Sequence, residues 1–174
     1  SRDLHSNKLR GAESVLINIS KALNKLNHQI TIINNCPTSQ IIDGIKWINI
    51  NSDIKAENYD LVISNLPYNI SSQILIKLTL MNVIPKQLVL MFQKEFALKL
   101  LENKLNSINS IVNCFYNISL KFHVSKNSFR PIPKVDSSVL TFTRIKNNLI
   151  NYDEIYNFIV FKREIFSHKR KSLR

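Results

Sequence analysis

The chain has 174 residues, of which 44% are apolar, and carries a formal net charge of +12. That length can bury a sizeable core, and that apolar share excludes a disordered polymer. No apolar run approaches the roughly 20 residues of a membrane span, the polar opening argues against a signal peptide, and the basic surplus points to a polyanion, nucleic acid before a membrane surface.

The charge is unevenly placed. Residues 1–64 hold seven Lys/Arg against six Asp/Glu, and residues 65–174 hold seventeen against six. A basic second part suits phosphate contact, although a solubility surplus would look the same. Cys36 and Cys114 lie far apart without CxxC spacing, so they are expected as free, buried thiols. No metal site is expected.

Along the chain, Val15, Leu16, Ile19, Ala22, Leu23 and Leu26 recur at helical spacing, which predicts an amphipathic helix over 11–27. A buried strand is expected over 28–33, a loop over 34–40, and an alternating strand over 45–50. Residues 59–64 form a short apolar run behind an acidic residue, a buried strand of a parallel sheet. Pro67 must end it, because proline cannot donate to a ladder. Ser71 or Ser72 is expected to cap a helix over 71–82, with Ile74, Leu75 and Leu78 on its core face. Next come a buried strand over 88–92 and a helix over 94–104 with Glu95 in its first turn. Strands are expected over 108–118, 120–124 and 137–145, and a helix over 152–166. Pro131 and Pro133 stiffen the turn that carries Phe129.

Asn65-Leu66-Pro67-Tyr68 thus falls where a strand stops and a helix starts, the edge at which open α/β sheets bind ligands. Asn65 offers a carbonyl acceptor, the Leu66 or Pro67 backbone offers another, and Tyr68 offers a flat π face. Two acceptors aimed at an exocyclic amine pull it toward a tetrahedral, nucleophilic nitrogen. A stacked ring holds an extruded base and tolerates developing positive charge. A bare N-x-P-Y could equally be an ordinary turn.

Longer strings tip that balance. Asn-Leu-Pro-Tyr-Asn-Ile-Ser-Ser at 65–72 resembles motif IV of the ribosomal RNA adenine dimethyltransferases. Met-Phe-Gln-Lys-Glu-Phe-Ala at 91–97, Phe-Arg-Pro-Ile-Pro-Lys-Val-Asp-Ser-Ser-Val at 129–139 and Phe-Ser-His-Lys-Arg-Lys-Ser-Leu-Arg at 166–174 resemble three further segments of that family, in order. The resemblance covers residues 59–174. It implies S-adenosylmethionine as donor and adjacent adenines of small-subunit ribosomal RNA as substrate. The implied protein is a cytoplasmic monomer that works on the small ribosomal subunit, away from membranes.

The implied fold is α/β. A Rossmann-like methyltransferase sheet carries helices on both faces, lacks part of its opening, and leads into the start of a small helical C-terminal region. The resemblance makes Asn65, Leu66, Pro67, Tyr68 and Phe129 the catalytic set, with Tyr68 and Phe129 sandwiching the adenine. It places Asp53 and Asn65 on the cofactor, and Arg130, Lys134, Lys169, Arg170, Lys171 and Arg174 on RNA phosphate. The tail could equally be a solvated one.

The first third lacks the family's Gly-rich loop. The chain contains two glycines, Gly11 and Gly44, and no G-x-G. Arg-Gly-Ala-Glu-Ser-Val at 10–15 and His-Gln-Ile-Thr-Ile at 28–32 instead resemble the opening of Leloir-type glycosyltransferases. This divides the chain into a β/α opening at 1–64, a methyltransferase-like core at 65–148 and a basic helical start of an RNA-binding region at 149–174. A fused frame, a divergent methyltransferase, a non-catalytic RNA-binding remnant and a glycosyltransferase fragment stay open. In a glycosyltransferase frame Asp53 would be a loop residue without a role.

Overall fold

The structure is a computed structural model and describes residues 11–34, 36–49, 59–81 and 83–167. The chain divides into two compact units. One comprises residues 1–57 with 129–131; the other comprises 58–128 and 132–174.

The first unit opens with α1 (Gly11–Lys25). Asn27 ends it at φ 63°, with the His28 N–H donating to the Leu23 carbonyl at 3.2 Å and the Asn27 N–H to the Asn24 carbonyl at 3.0 Å. This is the Schellman arrangement, in which a left-handed residue lets the chain turn back on the last helical carbonyls. The helix turns Ile17 and the buried Ser20 inward. Leu16, Ile19 and Leu26, expected on the core face, are exposed.

Strands β1 (Thr31–Asn34), β2 (Gln40–Ile42) and β3 (Ile45–Asn49) form a sheet of order β1-β3-β2. β1 runs parallel to β3, and β2 antiparallel. Ile32, Cys36, Ile45 and Trp47 bury together beneath it. β2 was not expected: the loop expected over 34–40 takes in Gln40, and Ile41 and Ile42 carried no assignment. It pairs with β3 through a two-residue turn in which Asp43 (φ 52°) and Gly44 (φ 76°) are both left-handed. Such Asp-Gly turns match the twist of the flanking strands. A side chain at Gly44 would also meet Asn24 Nδ2 at 3.3 Å.

In the second unit, β4 (Leu61–Asn65), β5 (Gln87–Gln93), β6 (Tyr116–Val124) and β7 (Ser137–Arg144) form a sheet of order β4-β5-β7-β6. Only β4 and β5 are parallel, joined across α2 (Ser71–Thr79). β7 inserts antiparallel between β5 and β6. Leu88, Leu90 and Phe92 of β5 and Leu140 and Phe142 of β7 point to one face and are fully buried. They pack with Leu75 of α2, with Ala97 and Leu100 of α3 (Lys94–Leu101) and with Val112 of α4 (Asn109–Val112). Each such side chain contributes about 1.5–3 kcal/mol by leaving water. Phe142 meets the rings of Phe92 and Tyr116 edge-on, and the buried Tyr116 hydroxyl donates to the Pro85 carbonyl at 2.9 Å.

Three local expectations change. β4 is half exposed at Leu61 and Ile63 rather than buried, because among the described residues it pairs only with β5. Residues 109–112 are helix, not strand. The side chain of Asn106 accepts from the Ile108 and Asn109 N–H groups at 2.9 Å, and Asn109 Oδ1 accepts from the Asn106 N–H at 2.7 Å. That reciprocal cap starts α4 locally. Neither serine caps α2: Ile70 occupies the cap position without a side-chain bond. Finally α5 (Ile155–Ser167) follows a 3-10 turn at Tyr152–Glu154 and lays Ile155 and Phe158 against the core.

Candidate active site

β4 ends at Asn65, and the next five residues turn the chain into α2. The side chain of Leu66 is buried in the core of the second unit, which anchors the turn from below. Asn65 and Pro67 are exposed beside it, and Tyr68 is half-buried. The Pro67 carbonyl accepts from the Ile70 N–H at 3.2 Å. Ser71, rather than capping, donates its hydroxyl to the Tyr68 carbonyl at 3.1 Å. The Tyr68 hydroxyl lies 2.6 Å from Ser137 Oγ, the first residue of β7. The loop is therefore held at its core side, along its backbone and at the tip of its ring.

The segment after β6 is tied back to the same strand end. Asp136 accepts from the Lys126 N–H through its carboxylate at 3.0 Å, which holds the 3-10 turn Lys126–Ser128. Its carbonyl accepts from the Lys94 N–H at 2.9 Å, where α3 begins. Ser138 Oγ sits 2.8 Å from His123 Nδ1. Asp136, Ser137 and Ser138 thus each hold a different element: the turn before Phe129, the Tyr68 ring and β6.

Asn65, Leu66, Pro67 and Tyr68, consecutive in sequence, lie at the end of β4 and in the loop that follows it. Lys134 is exposed in the second unit. Phe129 is half-buried and Arg130 exposed, and both group with the first unit, with Arg130 Nη1 donating to the Phe129 carbonyl at 3.0 Å. Asp53, Lys169, Arg170, Lys171 and Arg174 lie outside the described residues.

One polar atom was missed from the sequence. Asn34 Oδ1, at the carboxyl end of β1, is buried with no hydrogen-bond partner among the described residues. Buried acceptors of this kind are rare unless something else satisfies them. Its signal was its place as the residue after a strand expected to end at Ile33. Glu95 carries a surface ion pair with Lys99 at 2.8 Å, and hydrogen bonding to that lysine holds its carboxyl below the usual range. Among the described residues no cluster of His, Cys, Asp or Glu could hold a metal ion. No described helix is long and apolar enough to cross a membrane.

Comparison with known proteins places this loop in context. The family profile described as ribosomal RNA adenine dimethylase matches residues 12–174. A ribosomal RNA small subunit methyltransferase A from Mycoplasmopsis pulmonis is 36% identical over 145 residues, covering 78% of this chain and 56% of the relative. The protein of the same name from Malacoplasma penetrans is 38% identical over 140 residues, covering 76% and 48%. The chain spans about half the length of the curated relatives it matches. Among solved structures, a dimethyladenosine transferase from Plasmodium falciparum superposes with a TM-score of 0.66 at 28% identity, covering 93% of this chain and 55% of that one. The 23S ribosomal RNA methyltransferase ErmE, at 16% identity and a TM-score of 0.64, covers 83% and 64% and shares the fold. These neighbours fix the fold class as the α/β, Rossmann-like one of methyltransferases. The profile match runs through residues 12–64, which leaves a glycosyltransferase-like opening without support from the comparisons. With the profile covering nearly the whole length and the Asn-Leu-Pro-Tyr loop built at a strand's carboxyl end, the chain belongs to the ribosomal RNA adenine dimethylase family.

Proposed function

We propose that this chain carries the methyl-transfer core of an enzyme that dimethylates adenine exocyclic amines in small-subunit ribosomal RNA. The observation that carries this reading is how the 65–68 loop spends its hydrogen bonds. The Pro67 carbonyl serves the Ile70 N–H and the Tyr68 carbonyl serves Ser71. With those two carbonyls engaged, this supports the Leu66 carbonyl and the exposed Asn65 side chain as the acceptor pair for a substrate amine.

The donor proposed is S-adenosylmethionine, and the residues fit it at the ribose. Asn34 Oδ1 is a buried acceptor without a partner among the described residues, at a strand's carboxyl end, where open α/β sheets receive a ribose hydroxyl. By resemblance Asp53 takes the adenine amine of the donor, and Asn65 adjoins its reacting end. When bound, S-adenosylmethionine supplies a methyl group on an already activated sulfonium. The chain supplies the rest. Asn65 Oδ1 and the Leu66 carbonyl accept from the amine and localise its lone pair. Tyr68 stacks the extruded base; by resemblance Phe129 is also assigned to the base, and Arg130, Lys134, Lys169, Arg170, Lys171 and Arg174 to phosphate. The partner is the small ribosomal subunit, approached by a cytoplasmic monomer.

A second reading, a non-catalytic RNA-binding remnant, is favoured by the absence of any G-x-G from the sequence. Nucleoside mass spectrometry on unmodified small-subunit RNA, incubated with the chain and donor, separates the two. Dimethyladenosine supports the enzyme. RNA binding without it supports the remnant. Nucleotide-sugar binding would instead revive the glycosyltransferase resemblance of residues 1–64.

A further inference from the structure

Tyr68 is pinned at both ends. Its carbonyl receives the Ser71 hydroxyl, and its phenol meets Ser137 Oγ at 2.6 Å. Ser137 is fully buried and opens β7, paired in register with Gln93 of β5 and Val124 of β6. It therefore sits on strands fixed on both sides, where its own rotamer is locked by packing. A tyrosine ring has two side-chain torsions, and a hydrogen bond at its tip removes the freedom that the backbone bond leaves. A stacking platform with a fixed direction loses less entropy when a base arrives.

We infer that Ser137 is a positioning residue for base stacking: it orients the Tyr68 ring through their hydroxyl pair and touches neither adenine nor donor. This deepens the reading of the 65–68 loop as the adenine site and rests on it. The inference explains why Asp136, Ser137 and Ser138 are so differently engaged. Asp136 and Ser138 hold neighbouring backbone and β6, whereas Ser137 alone of the three reaches the motif loop.

The test uses the 174-residue chain as wild type, Ser137→Ala, Tyr68→Phe and the double variant. Phe keeps the π face and loses the same bond from the other side. Each single variant is expected to lower kcat about ten-fold, the size of one lost hydrogen bond, with the donor KM unchanged. The double variant is expected to lose no more than either single one. Losses that multiply, or a Ser137→Ala variant with wild-type kcat, overturn the inference. If the wild type transfers no methyl group, the functional reading fails separately, and NMR of tyrosine-labelled protein decides the role of Ser137. A slowly exchanging Tyr68 hydroxyl proton, lost in Ser137→Ala, supports it; rapid exchange in both overturns it.

Discussion

Ser71 and Tyr68 form a closed turn: the serine hydroxyl donates to the tyrosine carbonyl three residues back, at 3.1 Å. The bond lies at the exact joint between the motif loop and α2, and Ser71 is itself buried. Ser71→Ala leaves a carbonyl short of its partner inside the protein. A loss of about 1 kcal/mol is expected, from the net value of one such bond. Chemical denaturation should show a lower midpoint with an unchanged slope, because the fold is otherwise intact.

Asn109 offers a sharper stability test. It is fully buried, its Oδ1 accepts from the Asn106 N–H, and its Nδ2 donates to the carbonyls of Lys104 (3.1 Å) and Glu102 (3.3 Å). One side chain thus serves three backbone groups of the α3–α4 connection. Asn109→Ala strands a donor and two acceptors, and a cost of about 2–4 kcal/mol is expected. Thermal unfolding of the variant measures it.

Asn34 separates cofactor binding from folding. If its buried Oδ1 serves the ribose of the donor, Asn34→Ala should weaken S-adenosylmethionine binding about ten-fold, one hydrogen bond's worth, by calorimetry. The same variant should melt no lower than the wild type, since an unpartnered acceptor contributes nothing to the free fold.

Acid lability follows from two surface pairs. Lys86 lies 2.6 Å from Asp60, and Lys99 2.8 Å from Glu95. Hydrogen bonding first, and charge second, lowers both carboxyl pKa values. Each pair therefore contributes fully above about pH 4, the unfolded carboxylate range, and its contribution is lost as pH falls through the lowered folded values. Both pairs are solvent-exposed, so the effect is small and screened by salt. Replacing Lys86 and Lys99 by Met should lower melting slightly at pH 6, in low salt only, and by progressively less as pH falls through the lowered carboxyl values.

Much of this was legible in the sequence where a local rule and the global fold agree. Residues 59–67 announce β4 and its end, because an apolar run meets a proline. The Asp43-Gly44 turn was equally legible by its residues, yet β2 before it is three residues long and shows no periodicity. Around 108–116 Ile108, Ile111, Val112, Phe115 and Tyr116, interrupted by Asn109, Ser110 and Asn113, fit strand and helix alike, and the arbiter is the Asn106–Asn109 side-chain cap. The Ser137–Tyr68 bond spans 69 residues of sequence, so no local pattern could announce it. The buried acceptor of Asn34 is likewise a property of its surroundings rather than of its spacing.

The central claim is that the 65–68 loop activates an adenine amine for methylation. It is tested most directly by methyl transfer from labelled S-adenosylmethionine to unmodified small ribosomal subunits, with Asn65→Ala beside the wild type. Losing one of two acceptors at the reacting nitrogen should cost about 100-fold or more in kcat, while RNA binding is retained. Equal incorporation by both proteins would contradict the account, and so would a wild type that binds the subunit and transfers nothing.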